Sequence, residues 1–204
     1  MRSSSGRWVV LAAMLVLPTI VASSQEIPVR VRGAIEQSDG HTLVVKTRGG
    51  DRVTVHFPET ARIVAIVKAS LNDIKPGDFI GTTALPQPDG TLRAVEVHVF
   101  PESMRGTGEG HRAWDLGPST TMTNGTVAQS VEKIDGNVLT IKYQEGEKTV
   151  VITPDTAIVM YVPSDASELK PGAKIFISAA AKQADGSLQA ERVNVGRNGL
   201  TPPM

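Results

Sequence analysis

The side chains of this chain that can bind metal or move protons are few, and several of them crowd into one stretch. Histidine occurs at 41, 56, 98 and 111, there are six methionines and two tryptophans, and cysteine is absent. His98, Glu102, Met104, Glu109, His111, Trp114 and Met122 all lie within or beside residues 100–124. Imidazole and thioether groups suit a soft cuprous ion, and an indole face attracts a cation. His98, Glu102, Met104, His111 and Met122 therefore form the ligand set of a copper-type reading. Against it, a transition-metal site needs three or four ligands converging at about 2 Å, and no His-x-His or His-x-x-x-His spacing enforces convergence.

The competing reading takes the same stretch as a contact surface with no cofactor. Trp114, His111 and Arg112 lie in the stretch itself. His56 alternates with Val55 and Phe57, and His98 with Val97 and Val99, so both are expected on outward strand faces. These five residues are the expected ligand or partner surface. No catalytic residue is expected. There is no cysteine nucleophile, no Gly-x-Ser-x-Gly elbow and no His-Glu-x-x-His helix. The acidic pairs Asp78/Asp89 and Glu168/Asp185 suit turns better than an acid/base couple. Gly106-Thr107-Gly108-Glu109-Gly110 lacks the Lys-Ser or Lys-Thr of a phosphate-cradling loop.

The elements that must position these residues occur twice. Asp39-Gly40, Pro58-Glu59-Thr60, Lys75-Pro76-Gly77 and Asp89-Gly90 return as Asp135-Gly136, Pro154-Asp155-Thr156, Lys170-Pro171-Gly172 and Asp185-Gly186. The offset is about 96 residues throughout, which reports two copies of one unit. In each unit short strands alternate apolar and polar residues. Asp-Gly turns join them, because glycine accepts the positive φ of a tight hairpin. Val29, Val31, Gly33 and Ile35 are expected to share one face, and Val95, Val97 and Val99 to point inward. Ser70 is expected to cap one helical turn before Lys75-Pro76-Gly77, and Ser167-Glu168-Leu169 to form its counterpart. The pattern predicts an all-β protein of two tandem duplicated small barrels of about six strands each, residues 25–99 and 125–199. A connector, residues 100–124, joins them, and residues 200–204 form a tail. So long a structureless connection is unusual in a compact protein and is often functional or disordered; here it is expected to be a partly ordered linker that Trp114 pins along the seam between the barrels.

Arg2 and Arg7, the apolar run Trp8–Val21 and the small residues Ala22-Ser23-Ser24 have the three-part layout of a secretory signal peptide. Residues 1–24 are expected to be removed, leaving a periplasmic or secreted protein that meets the membrane only through that segment. Without Arg2 and Arg7 the 21 basic residues fall to 19 against 21 acidic ones, a net charge of −2. Nucleic acid, which calls for a basic surface, is not an expected partner. An envelope protein or envelope component is.

Gly33-Ala34-Ile35 and Gly125-Thr126-Val127, the Asp-Gly hairpins, and the segment from Leu71 to Asp78 resemble bacterial exported domains of unknown function with an oligonucleotide/oligosaccharide-binding (OB-like) barrel, often found in tandem. That resemblance implies two OB-like barrels and carries no catalytic residues. A weaker likeness, through the Gly-x-Ile/Val opening and the Lys-x-Gly-Asp-like turn, is to small periplasmic copper-chaperone barrels. Their ligands sit on barrel strands, whereas the candidate ligands here lie in a connector. The function these observations imply is an exported, non-catalytic binding or interaction module, with copper-type metal binding as the alternative.

Overall fold

The computed structural model describes residues 28–133 and 136–204. The expected signal peptide, residues 1–24, and Asp135 of one Asp-Gly hairpin lie outside the described residues. Among the described residues the chain is all-β, with fourteen strands and a few single 3-10 turns. The first six strands are β1 (Val29–Ser38), β2 (Thr42–Thr47), β3 (Arg52–His56), β4 (Arg62–Lys68), β5 (Phe79–Pro86) and β6 (Leu92–Val99). The stretch that follows carries β7 (Gly110–Ala113), and β8 (Thr121–Lys133) begins within it. The remaining strands are β9 (Gly136–Tyr143), β10 (Gly146–Ile152), β11 (Ala157–Pro163), β12 (Lys174–Lys182), β13 (Leu188–Ala190) and β14 (Arg192–Gly196).

The local turn chemistry follows the sequence. Gly40, Gly90 and Gly186 of the Asp-Gly turns, and Gly77 and Gly172 of the Lys-Pro-Gly turns, all have φ between 83° and 95°, a region that strains any residue with a Cβ. Ser70 opens a 3-10 turn, its N–H and hydroxyl both donating to Asp73 Oδ2 at 2.8 and 2.7 Å.

The pairing runs across the expected division of the chain. β1, β2, β3, β13 and β12 close on themselves as a five-stranded barrel, because β12 pairs back to β1. A second closed ring of pairings joins β5, β6, β10, β9 and β8. Each ring thus takes three strands from one half of the chain and two from the other, in place of the six-stranded, self-contained units the sequence pattern suggested. The Lys-Pro-Gly turns fasten the exchange. The Gly77 N–H donates to Val127 O at 2.8 Å, and the Gly172 N–H donates to Ile35 O at 2.7 Å.

Each ring has its own core. Val31, Ile35, Leu43, Val45, Val55, Ile175 and Ile177 fill the first; Ile80, Val97, Val99, Leu139, Ile141 and Val150 fill the second. β4 and β11 pair antiparallel between them, flanked by β14 and β6. Both faces of β4 are covered: Ala65 meets the first core, while Val64 and Ile66 meet a third cluster in the seam. β11 does the same with Ile158 and Met160 on one side and Val159 and Tyr161 on the other. Burial on two faces explains why both strands read as continuous apolar runs.

Two details differ from strict alternation, and a bulge explains each. Register shifts between Val29 and Val31, leaving Val29 exposed while Val31 and Ile35 are buried. On β6 the shift falls opposite Thr83/Ala84, so Ala94 replaces Val95 in the core beside Val97 and Val99.

Candidate functional site

The third cluster has a hole in it. Between the rings lies a pocket of about 210 Å³, far more than the roughly 10–15 Å³ that a single water needs. Its walls come from both rings and from residues 100–124. β1 contributes Arg30, β6 His98, β7 Arg112, β8 Met122 and Asn124, β11 Tyr161, β12 Phe176, and β14 Arg192 and Asn194.

The expected outward position of His98 is corrected here. The ring is only 3% exposed, because the face of β6 turned away from its own core is covered by the seam instead of solvent. Phe100 and Tyr161 meet His98 edge-on, with ring centroids 4.8 and 5.4 Å away. Its Nδ1 lies 3.0 Å from Glu96 Oε2. Glu96 is wholly buried, and its Oε1 already accepts from the Thr83 N–H at 3.0 Å and the Thr83 hydroxyl at 2.7 Å. With Nδ1 committed to the carboxyl group, Nε2 is the ring nitrogen left without a partner among the described residues. Gly81 leaves room for it. A Cβ there would collide with His98 Nε2 and Asn124 Oδ1, so both atoms converge where a side chain is missing.

Unsatisfied polar atoms mark the same place. The buried side-chain atoms without a hydrogen-bond partner among the described residues are Arg30 Nε, Trp114 Nε1, Asn124 Oδ1, Arg192 Nε and Asn194 Oδ1. All five belong to residues that line this pocket. The two amides cannot be turned over to hide their oxygens. Asn124 Nδ2 donates to Thr107 O at 2.9 Å and Asn194 Nδ2 donates to Phe176 O at 2.8 Å, and a turned amide would set its oxygen, an acceptor, against a carbonyl that can only accept. Buried polar groups are nearly always paired in folded proteins, so five orphaned atoms on residues around one cavity set this place apart from the rest of the interior.

The charge of the pocket is positive. Arg30, Arg112 and Arg192 line it, and no aspartate or glutamate does. Arg30 shares Asp115 with Arg32, at 3.4 and 2.7 Å, whereas Arg112 and Arg192 have no carboxylate within 4.0 Å among the described residues. Burial first, and then Arg30, pushes the Arg112 guanidinium below its ordinary pKa. Burial first, and then Arg62, does the same to Arg192. Tyr161 lies within electrostatic reach of both Glu96 and Arg192; burial and Glu96 raise its hydroxyl's pKa, while Arg192 pulls it down. Trp114 forms one wall, with Arg30 4.0 Å above its ring centroid and Phe176 edge-on at 6.4 Å.

The residues singled out from sequence divide cleanly. His98, Met104, Arg112, Trp114 and Met122 line the pocket, joined by Met204. His111 faces the other way from β7, with Nδ1 2.8 Å from the Thr123 hydroxyl and its ring 6.5 Å from Tyr143. Burial, followed by Lys148 and Arg112, lowers its pKa. Glu102 is exposed and paired to Arg105 at 2.6 Å. His56 is on β3 in the first ring, 3.0 Å from the Thr42 hydroxyl, and is not part of the pocket. The structure therefore does not gather the five-residue metal set, and no three His, Asp or Glu side chains among the described residues are placed to hold a metal ion. Sequence reasoning missed Arg30, Asn124, Tyr161, Phe176, Arg192 and Asn194. A signal was there: the 96-residue period puts Arg192 and Asn194 opposite Glu96 and His98 amid otherwise matching residues.

Residues 124–194 match the family described as "Domain of unknown function (DUF5666)". No curated protein and no solved structure matches the chain.

Proposed function

We propose that this chain is an exported, non-catalytic binding module of the periplasm or cell envelope, and that the seam pocket is its ligand site. The observation that carries this reading is the gathering of five orphaned buried polar atoms around one cavity. Leaving a buried donor or acceptor unpaired costs about 1–3 kcal/mol each, so a bound ligand that pairs them is favoured in proportion. The partner on this reading is an envelope protein or envelope component that supplies or receives the ligand. We also read the two rings as copies of one OB-like unit that have exchanged their last strands, a reading supported by the matched Lys-Pro-Gly contacts.

The test is a thermal-shift screen of a broad small-molecule collection against the protein and its Arg192→Gln and Asn124→Leu variants. The reading expects compounds that stabilise the parent and fail on both folded variants. It is overturned if none stabilises the parent, or if every stabilising compound acts equally on the variants.

A second reading has one observation in its favour. His98, Met104, Met122 and Met204 share the pocket, and thioether with imidazole is a cuprous donor set. Three arginines in the same walls oppose a cation there, so the anion-binding form of the first reading is preferred. Titration with Cu(I), followed by Trp114 fluorescence, separates the two. Saturable quenching that disappears in Met104→Leu favours the metal.

A further inference from the structure

The pocket's inventory specifies more than "a ligand", and the inference below rests on the binding reading above. Its donors are cationic or strongly polar: the Nε of Arg30 and of Arg192, the Trp114 indole N–H, and the Arg112 guanidinium. Its unpaired acceptors are Asn124 Oδ1 and Asn194 Oδ1, and the Nε2 of His98 lies beside the first of them, at Gly81. An inorganic anion satisfies the first group and leaves the second empty, since it brings no hydrogen to donate. A neutral sugar satisfies the second group and leaves buried guanidinium charge uncompensated. An ammonium-bearing ligand faces repulsion from three arginines. What pairs both groups is one molecule with a carboxylate at one end and hydroxyl donors along its body. The aromatic walls, Trp114, Phe100 and Tyr161, suit the C–H edges of such a body.

We propose that the seam pocket binds a small hydroxylated carboxylate of sugar-acid type. Its carboxylate is held by Arg192 and Arg112, with Arg30 and the Trp114 N–H beside them. Its hydroxyls donate to Asn124 and Asn194, beside His98. Arg–carboxylate pairs are charge-assisted and geometrically specific, and here they remove the repulsion between clustered cations. The Asn acceptors supply selection, because a site that expects hydroxyl donors is left with unpaired buried groups when an analogue lacks them.

The experiment is isothermal titration of the whole purified protein with four probes: sodium D-gluconate, sodium D-glucuronate, D-glucose and sodium butyrate. The proposal expects saturable binding of gluconate or glucuronate, with glucose and butyrate weaker by at least about tenfold. Arg112→Gln, at a half-buried position, is expected to weaken the hydroxy acid by about tenfold or more. Equal binding of butyrate and gluconate, or of glucose and glucuronate, overturns the proposal, as does silence with all four probes. Those failures stay distinct from failure of the broader reading: the latter falls only if the open screen on the parent and its pocket variants also finds no pocket-dependent ligand.

Discussion

β6 and the β13–β14 pair hold equivalent places, one in each half of the chain. Leu92, Ala94, Val97 and Val99 on the first match Leu188, Ala190, Val193 and Val195 on the second, residue for residue. All eight are buried in ring cores. The opposite face differs entirely: Glu96 and His98 against Arg192 and Asn194, all turned toward the seam. The neighbouring strands differ in compensation. Gly81 pairs with His98, and Phe176 pairs with Asn194, so a large ring beside a missing side chain faces a small amide beside a large one. Matching core residues line both rings; unlike seam faces make one pocket with an acidic–imidazole corner and a cationic corner. The seam face of each strand thus shapes the pocket, while the core face holds the fold.

The largest effect is expected where the two corners differ in bulk. Phe176→Ala removes a side chain only 3% exposed and should lower unfolding free energy by about 3–5 kcal/mol. Gly81→Ala at the opposite corner should cost less, about 1–3 kcal/mol, through overpacking against His98 and Asn124. Denaturant titration of the two variants measures both. Equal losses, or a larger loss at Gly81, break the argument that bulk was exchanged between corners.

Charge should separate the corners more sharply, and with opposite sign. Glu96→Gln keeps the shape but turns an amide N–H toward His98 Nδ1, a donor facing a donor in a fully buried place. A loss of about 1–3 kcal/mol is expected. Arg192→Met keeps the apolar stem and removes a guanidinium with an unpaired Nε, so stability should hold or rise while ligand binding falls. A destabilised Arg192→Met would show that the cation serves the fold and would falsify its assignment to the site.

These contrasts also define what could be seen in the sequence. Turns were legible because they are local: an Asp-Gly or Lys-Pro-Gly pair carries its own conformational reason, and Gly40, Gly77, Gly172 and Gly186 take the positive φ it implies. Strand positions were legible through their period of two. Partner choice was not, since β1 presents the same alternation whether it pairs with a strand of its own half or with β12. Alternation also sorts residues onto two faces without saying what covers either one. The period therefore gives His98 its face but not its environment, which the seam supplies. The pocket residues were hidden for a related reason: Arg30, Arg192 and Asn194 lie far apart in sequence and read as ordinary polar positions of amphipathic strands. The mismatch of Glu96 with Arg192 and of His98 with Asn194 was visible, yet it reads as loss of a motif until the seam brings all four together.

β7 offers the same lesson on a smaller scale, and the smallest expected effect. Adjacent residues there point to opposite sides, Arg112 into the pocket and His111 onto Thr123 and Tyr143. Burial, then Lys148, then Arg112 lower the His111 pKa below its ordinary 6.5. The folded chain therefore takes up this proton less readily than the unfolded chain does. By linkage, stability is unaffected above the unfolded value and falls as pH drops below about 6.5 toward the folded value. His111→Gln removes that proton and retains a polar partner for Thr123, so its stability should decline less than the parent's between pH 7 and pH 5. Ligand affinity at pH 7 should be the same in both, because His111 lies outside the pocket. Paired thermal melts across that interval, with one titration at neutral pH, read both quantities; a loss of affinity in His111→Gln would place the two faces of β7 in one site and undo the separation drawn here.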